Sequence, residues 1–286
     1  MIRSEFLRVA LPLLCAVIVG GVVAADDKDP ADLARRAIEA YQKGDGKKAI
    51  ALAEQSVQLD PRRIESWLLR ARLYSAQREH AMSLVDFTEA IRLDPKAPEG
   101  WQGRGESNFR AGRFAESVAD FDEFLKRAPS ERPHHWQRGI SLYYAGRFKD
   151  GKEQFELHQT VNTNDVENAV WHFLCTARAE GLESARKKLI PISGDSRIPM
   201  AEVHRLFAGK ATPKDVIAAA EAAPKVKRAG EPLFYAHLYL GIYHEAIGEP
   251  DPARSYILKA AERADQNGYM GDVARVHAEL LKKKRQ

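Results

Sequence analysis

The chain repeats itself with a period of 34 residues. Trp67-Leu-Leu-Arg-Ala71 is answered one period later by Trp101-Gln-Gly-Arg-Gly105, and Pro61, Pro95 and Pro129 keep the same spacing. Large, small, aromatic, small and proline positions at this period fit stacked helical hairpins, in which each unit buries its apolar face only against its neighbours. Such a chain grows along one axis, so its length of 286 sets the number of units and not the width of one core. An apolar share of 44% is enough for a continuous seam.

The first hairpin is expected over about 31–59, with Ala37 and Ala49 at its close contact and a turn at Gly44. The second spans 64–93, with Trp67, Ala71, Tyr74, Phe87 and Ala90 in the packing positions. The third spans 98–128, with Trp101, Gly105, Phe121 and a turn at Gly112. Asp60-Pro61 and Asp94-Pro95 end the second helices, because proline cannot extend the hydrogen-bond ladder. A fourth unit over 132–158 keeps Gly139, Gly146 and Phe155 in phase, and a fifth over 166–189 turns at Gly181. Residues 190–232 read as an irregular linker with short helices over 199–207 and 213–222, the latter opened by Thr212-Pro213 as N-cap and first turn. Residues 233–284 restore the pattern as a hairpin plus a capping helix, with Leu240-Gly241, Ala253 and Ala260 in the small positions.

These units resemble tetratricopeptide repeats by residue type and spacing, three of them in tandem and in phase. The expected fold is an all-α, right-handed solenoid with degenerate C-terminal repeats. The order of parts is also similar to bacterial NlpI-like tetratricopeptide proteins, most clearly at Phe234-Tyr-Ala-His-Leu-Tyr-Leu-Gly241-Ile-Tyr243, Ala253, Ala260 and His277-Ala-Glu-Leu280. That resemblance implies an exported, dimeric adaptor that brings cell-wall hydrolases or their substrates to a processing protease. It supplies no catalytic motif and no specific site.

In proteins of this resemblance, the first helix of each hairpin lines the concave side. Its second, fifth, ninth, twelfth and thirteenth positions face the groove. Here these include Tyr41, Arg72, Phe109, Arg110, Trp136, Tyr143 and Tyr144. The tryptophan phase slips: Trp101 precedes Gly105 by four residues, but Trp136 precedes Gly139 by three. Trp171 follows Trp136 if Gly181 marks its turn. With Arg110 and Arg178 alongside, these rings make a candidate peptide-binding strip, since aromatic and Arg residues dominate interface energetics. The other reading of the slip is a bend that keeps both tryptophans in the core, and the sequence leaves both open. Trp67 and Trp101, at the fourth position, are expected in the core.

The first 25 residues differ in kind. Arg3 and Arg8 precede a charge-free run from Val9 to Val23, and Val23-Ala24-Ala25 offers a cleavage site. As a helix the run reaches about 22 Å, short of the roughly 30 Å hydrocarbon core. The expectation is a cleavable export signal and a periplasmic chain without a stable transmembrane span, the alternative being an N-terminal membrane anchor. Cys15 follows Leu14, where the lipoprotein site takes a small residue. Without this segment only Cys175 remains, which reads as a core residue.

Acids and bases nearly cancel, 40 against 44, which argues against a nucleic-acid partner. No zinc-spaced cysteine pair, His-Glu-x-x-His, nucleophile elbow or phosphate-binding loop is present. Asp120, Asp122 and Glu123 read as a solvated helix face. The expectation is therefore a non-enzymatic protein with no cofactor and no metal, holding a protein or peptide. The competing reading is a self-associating scaffold with the C-terminal hairpin as a possible homodimer contact. A third is an enzyme using His134 and His135.

Overall fold

The computed structural model describes residues 29–224 and 231–283, so the expected export segment lies outside the described residues. Among the described residues the only regular elements are helices, paired in sequence. The first five hairpins are α1 (Pro30–Gln42) with α2 (Gly46–Leu59), α3 (Ile64–Ala76) with α4 (His80–Leu93), α5 (Pro98–Arg110) with α6 (Phe114–Arg127), α7 (Trp136–Tyr144) with α8 (Phe148–Gln159), and α9 (Val166–Glu180) with α10 (Leu182–Lys187). Then follow α11 (Met200–Phe207) with α12 (Pro213–Glu221), α13 (Pro232–Ala246) with α14 (Pro250–Glu262), and a last helix α15 (Gly268–Lys283). The fold is the all-α tetratricopeptide solenoid that the period predicts.

The period of the sequence reappears as a period of contacts. Gly44, Gly112 and Gly146 turn the chain at positive φ, and Arg78 holds the equivalent turn at φ 65°. Small residues let the paired helices close: a Cβ on Gly105 would lie 2.6 Å from the Phe121 ring, and one on Gly139 2.6 Å from that of Phe155. Gly241 meets Ile257 at the same 2.6 Å, so the C-terminal hairpin obeys the same rule. Polar groups recur as well. The Trp67 indole donates to the Pro61 carbonyl at 2.9 Å, and that of Trp101 to Pro95 at 3.1 Å. Ser83 and Ser107 share a hydrogen bond at 2.9 Å, Ser117 and Ser141 at 3.0 Å. Arg70 pairs with Asp86 at 2.7 Å, Arg104 with Asp120 at 2.7 Å.

Two expectations about side-chain placement change. Trp67 and Trp101 are half-buried, with guanidinium groups over their rings: Arg70 lies 5.0 Å from the Trp67 centroid, and Arg127 4.6 Å from that of Trp101. The Asp120 to Glu123 face is not simply solvated. Asp120 is buried between Arg104 and Asn108, and Asp122 pairs with Arg138 at 2.7 Å, because an arginine of a first helix faces it.

The fourth unit explains the tryptophan slip. Its first turn is a 3₁₀ segment, Pro129–His134, and α7 starts only at Trp136. His135 therefore takes the in-stack place of Trp67 and Trp101. It is buried against Phe121 and Phe124, with ring centroids 4.6 and 5.2 Å away. Trp136, one residue on, is turned toward the inner side.

Candidate functional site

The first helices touch one another along the array, α1 with α3, α3 with α5, α7 with α9, so they crowd the inner side. On that side the third and fourth hairpins do not stay open. The C-terminal units bring α15 against the ends of α5 and α7. Tyr269 stacks on Phe109 at 5.2 Å and meets Trp136 edge-on at 5.1 Å. Arg110 donates to Asp272 at 2.8 Å, to Ser75 at 2.9 Å and to Glu106 at 3.2 Å. The Tyr144 hydroxyl and His277 Nδ1 lie 2.9 Å apart, and His277 Nε2 is 2.9 Å from Glu245. Arg78 reaches Asp265 just before α15. The chain closes its own groove.

The aromatic strip of the sequence is thus assembled, but not as open surface. Phe109, Tyr143 and Trp171 are 0%, 8% and 2% exposed and belong to the main core, with Trp136 and Tyr144 packed against it. Tyr143 and Tyr144 both face Trp171, at 5.5 and 6.1 Å. Of the two readings of the slip, Trp171 is core, whereas Trp136 is on the inner wall beneath α15. Burial holds the Tyr143 and Tyr144 hydroxyls well above the usual phenol range, so both stay protonated. Burial opposes the charge of Arg110, but Glu106 and Asp272 outweigh it and its pKa is raised.

Three of the candidate residues remain open to water. Tyr41 is 46% exposed. Arg178 is exposed, its guanidinium 5.1 Å from the Phe148 ring. Arg72, midway along α3, has no hydrogen-bond or ion-pair partner among the described residues. Desolvation lowers its pKa, and the fields of Glu106 and Glu99 only partly restore it. Sequence reasoning missed Tyr269, Asp272 and His277, which complete the strip. Their signal was the apolar weight of the strip itself, too great for a wall left in water.

The polar residues weighed for chemistry have structural occupations. His135 lies 2.7 Å from the Gln102 side-chain oxygen through Nε2 and accepts from the Arg138 N–H through Nδ1 at 3.2 Å. Burial pushes its pKa down to about 3, so it is neutral. Cys175 is buried against Gly151, and burial raises its thiol pKa. Among the described residues there is no group of metal-ligating side chains, and no helix is long and apolar enough to cross a membrane. Asp165, Glu167 and Asp195 surround Arg197, tying the loop before α11 to the start of α9.

Residues 68–132 match the tetratricopeptide repeat family model. Among proteins of curated function, none matches the sequence significantly. A tetratricopeptide repeat protein from Parabacteroides merdae superposes with a TM-score of 0.57 at 16% identity, over 90% of this chain and 99% of its own. The type IV pilus biogenesis factor PilW gives 0.52 at 17%, over 85% and 97%. YrrB, described as a tetratricopeptide protein with an unusual peptide-binding site, gives 0.53 at 12%, over 68% and 94%. At these identities the likeness is one of fold, and it agrees with the contacts above: the chain is similar to tetratricopeptide solenoids along most of its length.

Proposed function

We propose that this protein is a non-enzymatic adaptor that holds a protein or peptide on the open inner face of its first two hairpins. The observation that carries the reading is Arg72, a solvent-exposed guanidinium without a hydrogen-bonded partner, on the same inner face as the exposed Tyr41 ring. A guanidinium that no protein group occupies offers a planar fork of donors to an incoming anion or carbonyl. An incoming carboxylate or backbone carbonyl would accept from it, with the Tyr41 ring as an apolar contact beside it. The finer role is export to the cell envelope, where the adaptor brings substrates to a protease or wall hydrolase. The charge-free leader and the NlpI-like order of hairpins support that part.

The test is a photo-crosslinking residue in place of Tyr41 in the full chain, compared with the same chain carrying Arg72→Ala. A heterologous protein should be captured, and its yield should drop about 5- to 30-fold without the guanidinium, as for an interface anchor worth roughly 1–2 kcal/mol. Capture that ignores Arg72 would refute the site. Capture of the chain's own copies alone would favour the scaffold reading.

A further inference from the structure

The repeat register itself describes the ligand of the open groove. Residues 38, 72 and 106 are one period of 34 apart and hold the same position of α1, α3 and α5. The chemistry changes at each step: Ile38 is apolar, Arg72 a cation, Glu106 an anion. α1 touches α3 and α3 touches α5, so the three stand side by side across the inner face. Ile38 is half-buried, and three positions further along the same face of α1 comes the exposed Tyr41 ring. Arg72 is exposed and has no partner among the described residues. Glu106 is held by Gln102 at 3.0 Å and Arg110 at 3.2 Å. Glu99, seven positions earlier on the same face of α5, is exposed and unpaired among the described residues. The fields of both carboxylates reach Arg72, so they border it on the α5 side. The next row, Tyr41 to Ser75 to Phe109, is blocked: Arg110 donates to Ser75 at 2.9 Å, and Tyr269 stacks on Phe109 at 5.2 Å. A ligand crossing from α1 toward α5 is left with the row of Ile38, Arg72 and Glu106.

This order of charges selects. A carboxylate seated on Arg72 also enters the field of Glu99 and Glu106. A purely acidic segment is repelled where it is attracted, and a base beyond the acid offsets the border. Reach sets the spacing. Packed helices lie roughly 8–10 Å apart and an extended chain advances about 3.3 Å per residue, so one step between first helices takes about three residues.

We propose that the open groove takes an extended segment of a partner protein carrying an apolar residue, an acid and a base at intervals of about three residues, ordered from α1 to α5. This rests on the open-groove reading and names its ligand. The apolar side chain lies on Ile38 and Tyr41. The carboxylate accepts from the Arg72 guanidinium, and the base meets Glu99 at the border with α5. The row fixes the order of the three side chains and not the direction of the backbone.

The probes are dye-labelled peptides with blocked termini, titrated into the full chain and read by anisotropy. Leu-Ser-Ser-Asp-Ser-Ser-Lys and its reversed order carry the spacing; Leu-Asp-Lys-Ser-Ser-Ser-Ser has the same composition without it. One of the spaced peptides should bind at least about 5-fold more tightly than the compact one, and Arg72→Ala should abolish that difference. Replacing the peptide's Lys by Ser should weaken binding to wild type about 3-fold, and most of that cost should vanish on the Glu99→Gln variant. Arg72 and Glu99 are both exposed, so neither substitution touches the core. Spaced and compact peptides that bind alike, yet both lose affinity with Arg72→Ala, would overturn this pattern and leave the open-groove reading standing. So would a contribution of the Lys that Glu99→Gln leaves intact, or no binding of either spaced peptide. Peptide binding that ignores Arg72 would overturn both.

Discussion

Tyr41 and Phe109 occupy the same position of the repeat, two periods apart, yet one is 46% exposed and the other fully buried. Part of the difference is local: Phe109 packs on Phe114 of its own hairpin and Tyr144 of the next, where the first two hairpins have Gly46 and Ala76. Both stand near the end of a first helix and face the inner side. The rest is Tyr269, which comes from 160 residues further along and stacks on Phe109, with Arg110 and Asp272 pinning the approach beside it. The repeat register sets which way a side chain points. Whether it meets water is set by the size of its neighbours in the stack and by where the distant end of the solenoid returns.

The largest effect should separate the two halves. Trp171→Ala removes a ring that is 2% exposed and packed against Tyr143 and Tyr144. It should cost about 3–5 kcal/mol, the range for deleting a buried aromatic side chain. Tyr41→Ala, in the same aromatic set by sequence but open in the structure, should change stability by less than about 0.5 kcal/mol. Urea titrations of the two variants test this. Equal losses would mean that the first hairpin is covered in solution as well.

Much of this fold was legible because its rules are local. A small residue sixteen positions before a ring, as in Gly105 with Phe121 or Gly139 with Phe155, is a statement about one hairpin. Turn residues and proline stops are likewise local. The wall was legible as a set of residues for the same reason. Its covering was not, because a period says nothing about how far the superhelix curls before its end meets its middle. The tryptophan slip was visible, but its cause was not. A 3₁₀ turn had to replace the first turn of the fourth unit before His135 could stand in for tryptophan. Asp120 was misplaced on a solvated face because its partner, Arg104, lies on the preceding helix and is invisible to any single-helix pattern.

The joint between the halves should respond to acid. His135 links the fourth unit to Gln102 of α5, and burial holds its pKa at about 3 against 6.5 when free. The imidazole stays neutral in the folded chain, while the unfolded chain takes up a proton below pH 6.5. Stability is therefore unaffected by this group above that pH and falls as the pH drops from 6.5 toward 3. At pH 5 the loss from this one group is about 2 kcal/mol. Burial lowers His80, His158, His172 and His237 in the same direction, the last to about 4. His135→Gln should flatten the acid limb of a stability–pH profile by roughly that amount. Superimposable profiles would show that the ring is protonated, or released, in the folded chain.

The smallest effect probes how far the closure reaches into the open half. Arg78 holds the turn that glycine holds at positions 44, 112 and 146, and its φ of 65° costs a side-chain-bearing residue about 1 kcal/mol relative to glycine. Its side chain meets Asp265, at the foot of α15, and both partners are largely exposed. Exposed pairs contribute roughly 0–1 kcal/mol. Arg78→Gly therefore exchanges one small quantity for another, and the variant should lie within about 0.5 kcal/mol of wild type in thermal or urea unfolding. A gain near the full glycine advantage would mean the bridge to Asp265 adds nothing, and that α15 is held by Arg110 and the rings alone. A clear loss would mean the bridge does more than a solvated pair can, which would extend the closed half by one repeat and narrow the open groove to the first hairpin and the midpoint of α3.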